Sequence, residues 1–541
     1  MRSTWQYLLL MGVVILAIYA PSRNNGFLFE DSDYLRNLPA QDTLKDCLKA
    51  AAEPASDGAR RPLFRFSMVV QKSMDGADRP VPYRLFNYVL MIAIGCAAYG
   101  LLRQPALGIR RIPALLAAML ITVHPVASAS AYRLCDGRGT LLALLFILLG
   151  ASFYLRGGWL GAGAAALCYA LALGGSQEAL WFPAVLVAAE LVGLPGREGG
   201  KAGSAQIASG HLTVVRKNER SADRYLRLLP LLLAGVLCVL AGLVGRSGAA
   251  PARMPFFEAV YAWQSLAAPT RIVVHQPAVD VWLTGAHVLA GLGLFALVAA
   301  AVAVALRHPD AIPPHRKGDE FRAVLFWVVW MAASLPVFSG LLTGGALFSE
   351  GHGMAFSVAV WGLLAWAASR FWNIEAIRRE VIVVGSGAVL VLAAGSVGRQ
   401  DHYINDESFV TEWARSNPAA WSSFAAEAEK AQEAGRMEEA QRLAERGLTL
   451  KPDAGELLLR KASIFEKTDR LEDALAAFQE AAAASPSNWA VLEKMADLTL
   501  KLGRFAEAVD RYRKLVGDQP ENSAVKAKLE EARKIENGRG L

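Results

Sequence analysis

Three carboxylates within four positions, Glu30, Asp31 and Asp33, come just after the first apolar segment, in the stretch Asn24-Asn25-Gly26-Phe27-Leu28-Phe29-Glu30-Asp31-Ser32-Asp33-Tyr34. Neighbouring acids repel when both are ionised, which pushes one pKa toward the range of a general base. A carboxylate at the mouth of a membrane helix can also meet a substrate carried on a lipid. The same residues have a structural reading, because Asp-Ser-Asp is good turn and cap chemistry. Groups able to assist an acid are scattered downstream: Arg61, His124, Arg138, Glu178 and Glu350. Arginine's planar fork suits phosphate oxygens. Each of these residues also has a structural use. Arg138 at a helix start can anchor at the lipid interface. His124-Pro125 can simply end a span, Glu178 can cap the next helix, and Arg60-Arg61 can meet anionic headgroups. Glu350 lies near a membrane boundary, where solvent can satisfy it.

These residues hang on a strongly apolar chain. Of its 541 residues 54% are hydrophobic and 19% charged, against about 25% charged in an ordinary soluble protein. The charge is uneven. Long apolar runs fill the chain to about residue 398, and the remainder is rich in Ala, Glu, Lys and Arg at helical spacing. Composition therefore predicts an all-α protein, a polytopic membrane domain followed by a soluble helical one. The apolar runs lie at roughly 5–20, 83–102, 112–126, 138–155, 158–173, 178–194, 226–245, 281–306, 322–341, 353–371 and 380–398, about eleven spans. Residues 1–20 are read as an anchor helix, 21–82 as a polar outer loop holding the acids, and 83–398 as the polytopic domain.

Charge sets the orientation. With the N-terminus inside, the cytoplasmic loops collect Arg103, Arg110, Arg111, Arg156, Arg197, Arg307, Arg316, Arg370, Arg378 and Arg379, and the short outer loops near 174–178 and 342–352 have no Lys or Arg. This is the positive-inside bias, and an odd number of spans puts the C-terminal domain on the side of the acids. The net charge of +7 is thus a matter of topology. No nucleic-acid-reading motif is present. The five cysteines lack metal-binding spacing, so no metal site is expected from them. Cys47 and Cys135 fall on one side of the membrane, where a disulfide is open to them.

Pro418, Pro452, Pro486 and Pro520 recur every 34 residues, Ala440, Ala474 and Ala508 keep the same period, and Gly435, Asp469 and Gly503 share one phase. That is the tetratricopeptide (TPR) period. Small Ala lets paired helices approach, the Gly-type site turns between them, and Pro ends the second helix. Three repeats are expected over 419–520, with 399–418 as a linker and 521–541 as a capping helix and tail.

Several motifs of the membrane half resemble one family. Asn25-Gly26-Phe27 through Glu30-Asp31, Arg61-Pro62-Leu63 with Ser67, Pro82-Tyr83-Arg84-Leu85-Phe86-Asn87, His124-Pro125-Val126 before Gly137-Arg138-Gly139-Thr140-Leu141-Leu142, Gln177-Glu178 and Ser349-Glu350 resemble the blocks of GT-C class glycosyltransferases with C-terminal TPR arrays, the transmembrane-and-TPR O-mannosyltransferase-like proteins. The chain departs from the pattern at Glu30, where Asp is usual. Arg84 and Met91 stand in place of histidines, Ala129 in place of an acid, Gln177 in place of a lysine and Gly351 in place of an arginine. The resemblance implies a GT-C-like fold and a polyprenyl-phosphate sugar donor at the outer leaflet. It implies Asp31 as base with Glu30 beside it, Arg138, Arg61 and His124 toward the donor phosphate, and Glu178 and Glu350 in support. It leaves a divalent metal undecided.

The expected function is a membrane glycosyltransferase acting on an exported protein, with a protein or peptide partner presented on the TPR surface. The alternative is a non-catalytic, membrane-anchored TPR scaffold for envelope or secretion assemblies. The high Ala, Gly and Leu content points to a bacterial cytoplasmic membrane with the repeats in the periplasm, an ER membrane being the other option.

Overall fold

The computed structural model describes residues 4–28, 43–53, 60–194, 226–240, 285–307, 317–335, 350–405, 421–450, 452–484, 489–518 and 523–538. It also describes positions 31, 34, 35, 38, 39, 41, 206–208, 211–213, 262, 263, 266, 267 and 408. Apart from a short hairpin of β1 (Gln206–Ala208) and β2 (His211–Thr213), the regular structure among them is helical. Two compact units divide the chain between Phe409 and Val410.

The first unit begins with α1 (Thr4–Tyr19). The stretch between it and the second apolar run is built rather than loose, for it carries α2 (Leu44–Ala52) and α3 (Pro62–Asp75). Thr43 caps α2 by accepting from the Asp46 amide, and Pro62 opens α3 at a position where no N–H is required. Phe64, Met68 and Val69 of α3 pack on Leu35, Leu38, Cys47, Ala50 and Leu134. Lys72 donates to the carbonyls of Leu35 and Leu38 and ties the acidic stretch to α3. Cys47 is a free thiol in this cluster.

The apolar helices follow: α4 (Pro80–Leu102), α5 (Arg111–Val123), α6 (Pro125–Tyr132), α7 (Cys135–Arg156), α8 (Gly158–Gly175), α9 (Phe182–Leu191), α10 (Leu229–Leu240), α11 (Gly285–Arg307), α12 (Lys317–Ala333), α13 (Glu350–Arg370) and α14 (Glu375–Arg399). Every apolar run read from the sequence thus holds helix. Not all of it is long enough to cross a bilayer. Among the described residues six helices have the length and apolarity, and seven if α5 and α6, bent by 51° at their junction, count as one span. The ten residues of α9 rise about 15 Å at ~1.5 Å each, half of the ~30 Å hydrocarbon core. The first unit is a multi-pass helical membrane domain.

Backbones approach closely at the end of α7 and α8 that carries Arg138. A Cβ on Gly137 would lie 2.0 Å from the Ser130 carbonyl oxygen, and one on Gly139 would lie 2.8 Å from that of Gly175. Both are backbone neighbours that cannot swing away, so only glycine fits on either side of Arg138. The segment 399–405, read from the sequence as the start of a linker, is part of this first unit, as its hydrogen bonds below show.

The second unit is an α-solenoid of TPR type. Helix pairs α15 (Trp421–Glu433) with α16 (Met437–Leu450), α17 (Gly455–Lys467) with α18 (Leu471–Ala484), and α19 (Trp489–Lys501) with α20 (Phe505–Asp518) precede α21 (Ser523–Gly538). Each pair turns at a residue in the left-handed region, Gly435 (φ 75°), Asp469 (φ 60°) and Gly503 (φ 74°). The next amide closes the same six-residue ring each time: Arg436 to Ala431 at 2.8 Å, Arg470 to Phe465 at 2.9 Å and Arg504 to Thr499 at 3.1 Å. Ala440, Ala474 and Ala508 are fully buried where paired helices meet. Pro418, Pro486 and Pro520 lie outside the described residues.

Candidate functional site

The chain leaves α1 through a single 3₁₀ turn, Ala20–Asn24, and then runs extended at Asn25. Three groups hold it there. The Gly26 amide donates to the Ile404 carbonyl (2.8 Å), the Asn25 side-chain amide donates to the Gln400 carbonyl (2.9 Å), and Arg84 reaches up from the first turns of α4. Arg84 is 0% exposed. Its Nε donates to the Asn25 carbonyl (3.0 Å), Nη2 to that of Gly26, and Nη1 to that of Tyr132 at the end of α6 (2.9 Å). Five residues further on, Asp31 is 5% exposed. Its amide donates to the Leu28 carbonyl (2.6 Å) and its Oδ2 accepts from the Leu28 amide (3.3 Å). Burying an unbalanced carboxylate is costly, and the Arg84 guanidinium is one charge that attracts it. Glu30 lies outside the described residues.

Arg138 stands in the next layer, 0% exposed. Its Nε donates to Asn87 Oδ1 (3.0 Å) and its Nη2 to the Tyr83 carbonyl (2.9 Å). The guanidinium carbon sits 5.5 Å from the Tyr83 ring centre and 4.7 Å from that of Phe86, within cation–π range. Tyr83 meets Phe27 edge-on at 5.9 Å. The glycines flanking Arg138 thus let its backbone press against α6 and α8, and its side chain braces α4 under the acidic stretch.

His124 occupies the bend between α5 and α6. Pro125 has no N–H to continue the helix, and the ring supplies the cap: Nδ1 accepts from the Val126 amide (3.2 Å). That bond requires an unprotonated Nδ1, so the proton sits on Nε2, which donates to the Leu266 carbonyl at 3.1 Å. Both nitrogens are engaged inside the protein. Arg399, at the end of α14, donates to the Pro125 carbonyl at the same bend (2.5 Å), Ser396 donates to Val123 (2.6 Å), and the Tyr132 hydroxyl donates to Ser396 (2.9 Å). Around them Tyr19 stacks on Tyr88 (5.6 Å) and meets Tyr132 edge-on (5.6 Å), with Tyr403 5.2 Å beyond.

Arg61 is half-buried at the N-cap of α3. Its neighbours Pro62 and Leu63 lie against Gly174, and Phe64 lies against Gly139, which brings Arg61 to the same end of α7 as Arg138. Glu178 accepts from the Thr140 hydroxyl (3.4 Å). The two line a small recess of about 20 Å³, room for roughly one water, whose other walls include Leu144, Ile147 and Trp181. Glu350 opens α13, and its side chain lies outside the described residues. Among the described residues no group of three His, Cys, Asp or Glu is placed to hold a metal ion.

The structure therefore gathers Asp31, Arg61, Arg138 and Glu178 around the same ends of α4, α7 and α8. It sets His124 apart, as a helix cap, and makes Arg138 an interior brace rather than an exposed cation. Arg84, Tyr132 and Arg399 escaped the sequence reading as site residues. Arg84 stood out only as an arginine at a position where the family it resembles has a histidine.

Comparison with known proteins adds little to this geometry. A family model described as N-terminal acetyltransferase A, auxiliary subunit, matches residues 452–540, the last two repeats and the cap. No curated protein matches the chain. Among solved structures the chain is similar to arabinofuranosyltransferase AftD from Mycobacteria, at 15% identity and a TM-score of 0.43, over 74% of this chain and 27% of that one. The chain thus spans about a quarter of the length of that protein.

Proposed function

We propose that the protein is a membrane glycosyltransferase that moves a sugar from a polyprenyl-phosphate donor onto a protein acceptor held by the TPR-type repeats. The observation that carries this reading is Asp31: a carboxylate buried to 5% exposure at the mouth of the first span, bonded to the Leu28 amide and in the field of a buried arginine. A plain surface turn needs none of these. In the proposed reaction the acceptor hydroxyl oxygen forms a bond to the anomeric carbon. The bond from that carbon to the phosphate oxygen breaks, and polyprenyl phosphate leaves with the electron pair. Asp31 takes the hydroxyl proton. A carboxylate accepts about four hydrogen bonds, so holding the Leu28 amide is compatible with that task. Because Arg138 is braced in the interior, Arg61 is assigned to the leaving phosphate, and Glu178 with Thr140 to a single hydroxyl at the recess. GT-C-like architecture, a periplasmic site and O-mannosyl chemistry belong to this proposal through the family the motifs resemble. Loop charge favours the repeats on the side of Asp31.

Asp31→Asn tests it, with labelled polyprenyl-phosphate sugars as donors and a periplasmic extract as acceptor. The amide keeps the bond to Leu28 and removes the base, so transfer is expected to fall about 10²–10⁴-fold while membrane insertion is unchanged. Transfer at the wild-type rate would refute the assignment of Asp31.

The internal engagement of both nitrogens of His124, and of Arg138 with Asn87 and Tyr83, favours a second reading, a non-catalytic scaffold whose membrane half anchors the repeats. The match to an auxiliary subunit supports an assembly role for the repeat half. Absence of transfer by the wild-type protein with any lipid-linked donor would select it.

A further inference from the structure

We infer that Arg84 is the positioning residue of the site, holding Asp31 both by clamping the acidic stretch and by supplying its counter-charge. This rests on the reading of Asp31 as the base. A fully buried guanidinium is costly unless its donors and its charge are both met. Each of its three nitrogens donates to a carbonyl, from two directions, Asn25 and Gly26 on one side and Tyr132 on the other. Carbonyls are dipoles and leave the charge unbalanced. Among the described residues, Asp31 is the carboxylate whose charge acts on Arg84.

The arrangement is a three-way joint. The acidic stretch lies between Arg84 of α4 and the carbonyls of Gln400 and Ile404 just beyond α14. The planar fork spreads its donors over three nitrogens held in one plane, whereas lysine carries the same charge on a single nitrogen. The groups packed round the joint are Tyr19 from α1, Tyr88 from α4, Tyr132 from α6, Arg138 from α7, and Arg399 with Tyr403 from the end of α14. None of these is an anion below the alkaline range. Arg84 therefore separates into two testable functions, a clamp that needs the fork and a charge that lysine preserves.

Arg84→Lys and Arg84→Gln in the full-length protein, in detergent or nanodiscs, separate them by two measurements. Hydrogen exchange at the amides of Gly26, Leu28 and Asp31 reads the clamp without reference to activity. It is expected to quicken by about tenfold or more in both variants, as local opening becomes easier. In the transfer assay kcat is expected to fall about 10–100-fold with the donor KM nearly unchanged, as for a misplaced catalytic group. The acidic limb of the pH–rate profile is expected to move to higher pH in Arg84→Gln, because a carboxylate without its neighbouring cation ionises later. It should stay in place in Arg84→Lys. Unchanged exchange overturns the clamp, and so does a loss carried by KM. An acidic limb that fails to move in Arg84→Gln overturns the counter-charge. If Arg84→Gln does not accumulate, Arg84→Lys decides through exchange and the division of its loss between kcat and KM. A wild-type protein without transfer defeats the reading of Asp31 as base, whereas the exchange measurement still decides the clamp.

Discussion

The two units bury polar groups in opposite ways. In the repeat unit the core is apolar and rich in alanine, and charged groups pair between neighbouring helices at half-exposed positions, Lys494 and Lys501 with Glu466, Arg504 with Glu472, and Arg460 with Glu429. Exposed pairs of this kind are each worth little, so the stability of the unit comes from repetition. In the membrane unit Arg84, Arg138 and Arg399, a histidine and a group of tyrosines lie in the interior, bonded to backbone carbonyls across long stretches of chain. Such a network fixes one arrangement and leaves little tolerance. One region is built from interchangeable parts and the other from single, irreplaceable ones. Substitutions should separate them accordingly.

The largest expected effect is at Gly137. In Gly137→Ala the new Cβ would fall 2.0 Å from the Ser130 carbonyl oxygen, and helix backbone has to move. A loss of about 3 kcal/mol or more, the upper end of overpacking costs, should appear as a lower unfolding temperature and a poor yield of monodisperse protein. A wild-type yield and melting temperature would mean that α6 and α7 are not so tightly joined.

The repeat unit should yield more gently. Residues 415–541 expressed alone are expected to fold as a helical unit, three pairs and a cap being about the minimum for a stack. Within it Ala474→Leu, at a position with 0% exposure, should cost about 1–3 kcal/mol in urea unfolding. A random-coil circular dichroism spectrum for the fragment would remove the contrast altogether.

Alkali offers a graded test. The Tyr512 hydroxyl donates to Asp497, and burial, followed by that bond and charge, raises its pKa above 10.0. Lys528 is raised above 10.5: burial opposes the shift, but the bonds to Glu493 and Asp497 outweigh it. Both groups have higher pKa values folded than unfolded. Their stabilisation is complete below the unfolded values and is lost as pH rises through the folded ones. The fragment should therefore lose stability progressively above pH 10, and Tyr512→Phe with Lys528→Met should flatten that decline. An equally steep decline in the double variant would point to other groups.

The smallest effect is a gain. Asp469 holds a left-handed turn (φ 60°) where the other repeats have glycine. Asp469→Gly should stabilise the fragment by about 0.5–1 kcal/mol, since the strain of a side chain there exceeds glycine's entropic cost. A destabilised variant would show that the aspartate side chain does more than tolerate the turn.

This contrast also explains what could be read in advance. A 34-residue period repeats its own evidence, and the turn at 435, 469 and 503 follows from residue type alone. The membrane helices were legible as apolar runs, but the brevity of α9 and the bend at Pro125 depend on neighbours. Arg84 was not legible, because its partners are carbonyls 48 to 59 residues away, and every residue type has a carbonyl. His124-Pro125 announced a break, but not that Leu266 would take the second nitrogen. The helices inside 21–82 were hidden by their polar faces, and the role of 400–404 by the plain appearance of a stretch between two domains.

The Asn25 side chain is bonded to a carbonyl 375 residues later in the chain. At a synthesis rate of roughly 5–20 residues per second, the acidic stretch would wait about 20–75 s after emerging before its last partners exist. Through that interval the stretch has its tie to Arg84 but not its tie to the end of the last apolar helix, and the residue that supplies it is made just before the repeats begin.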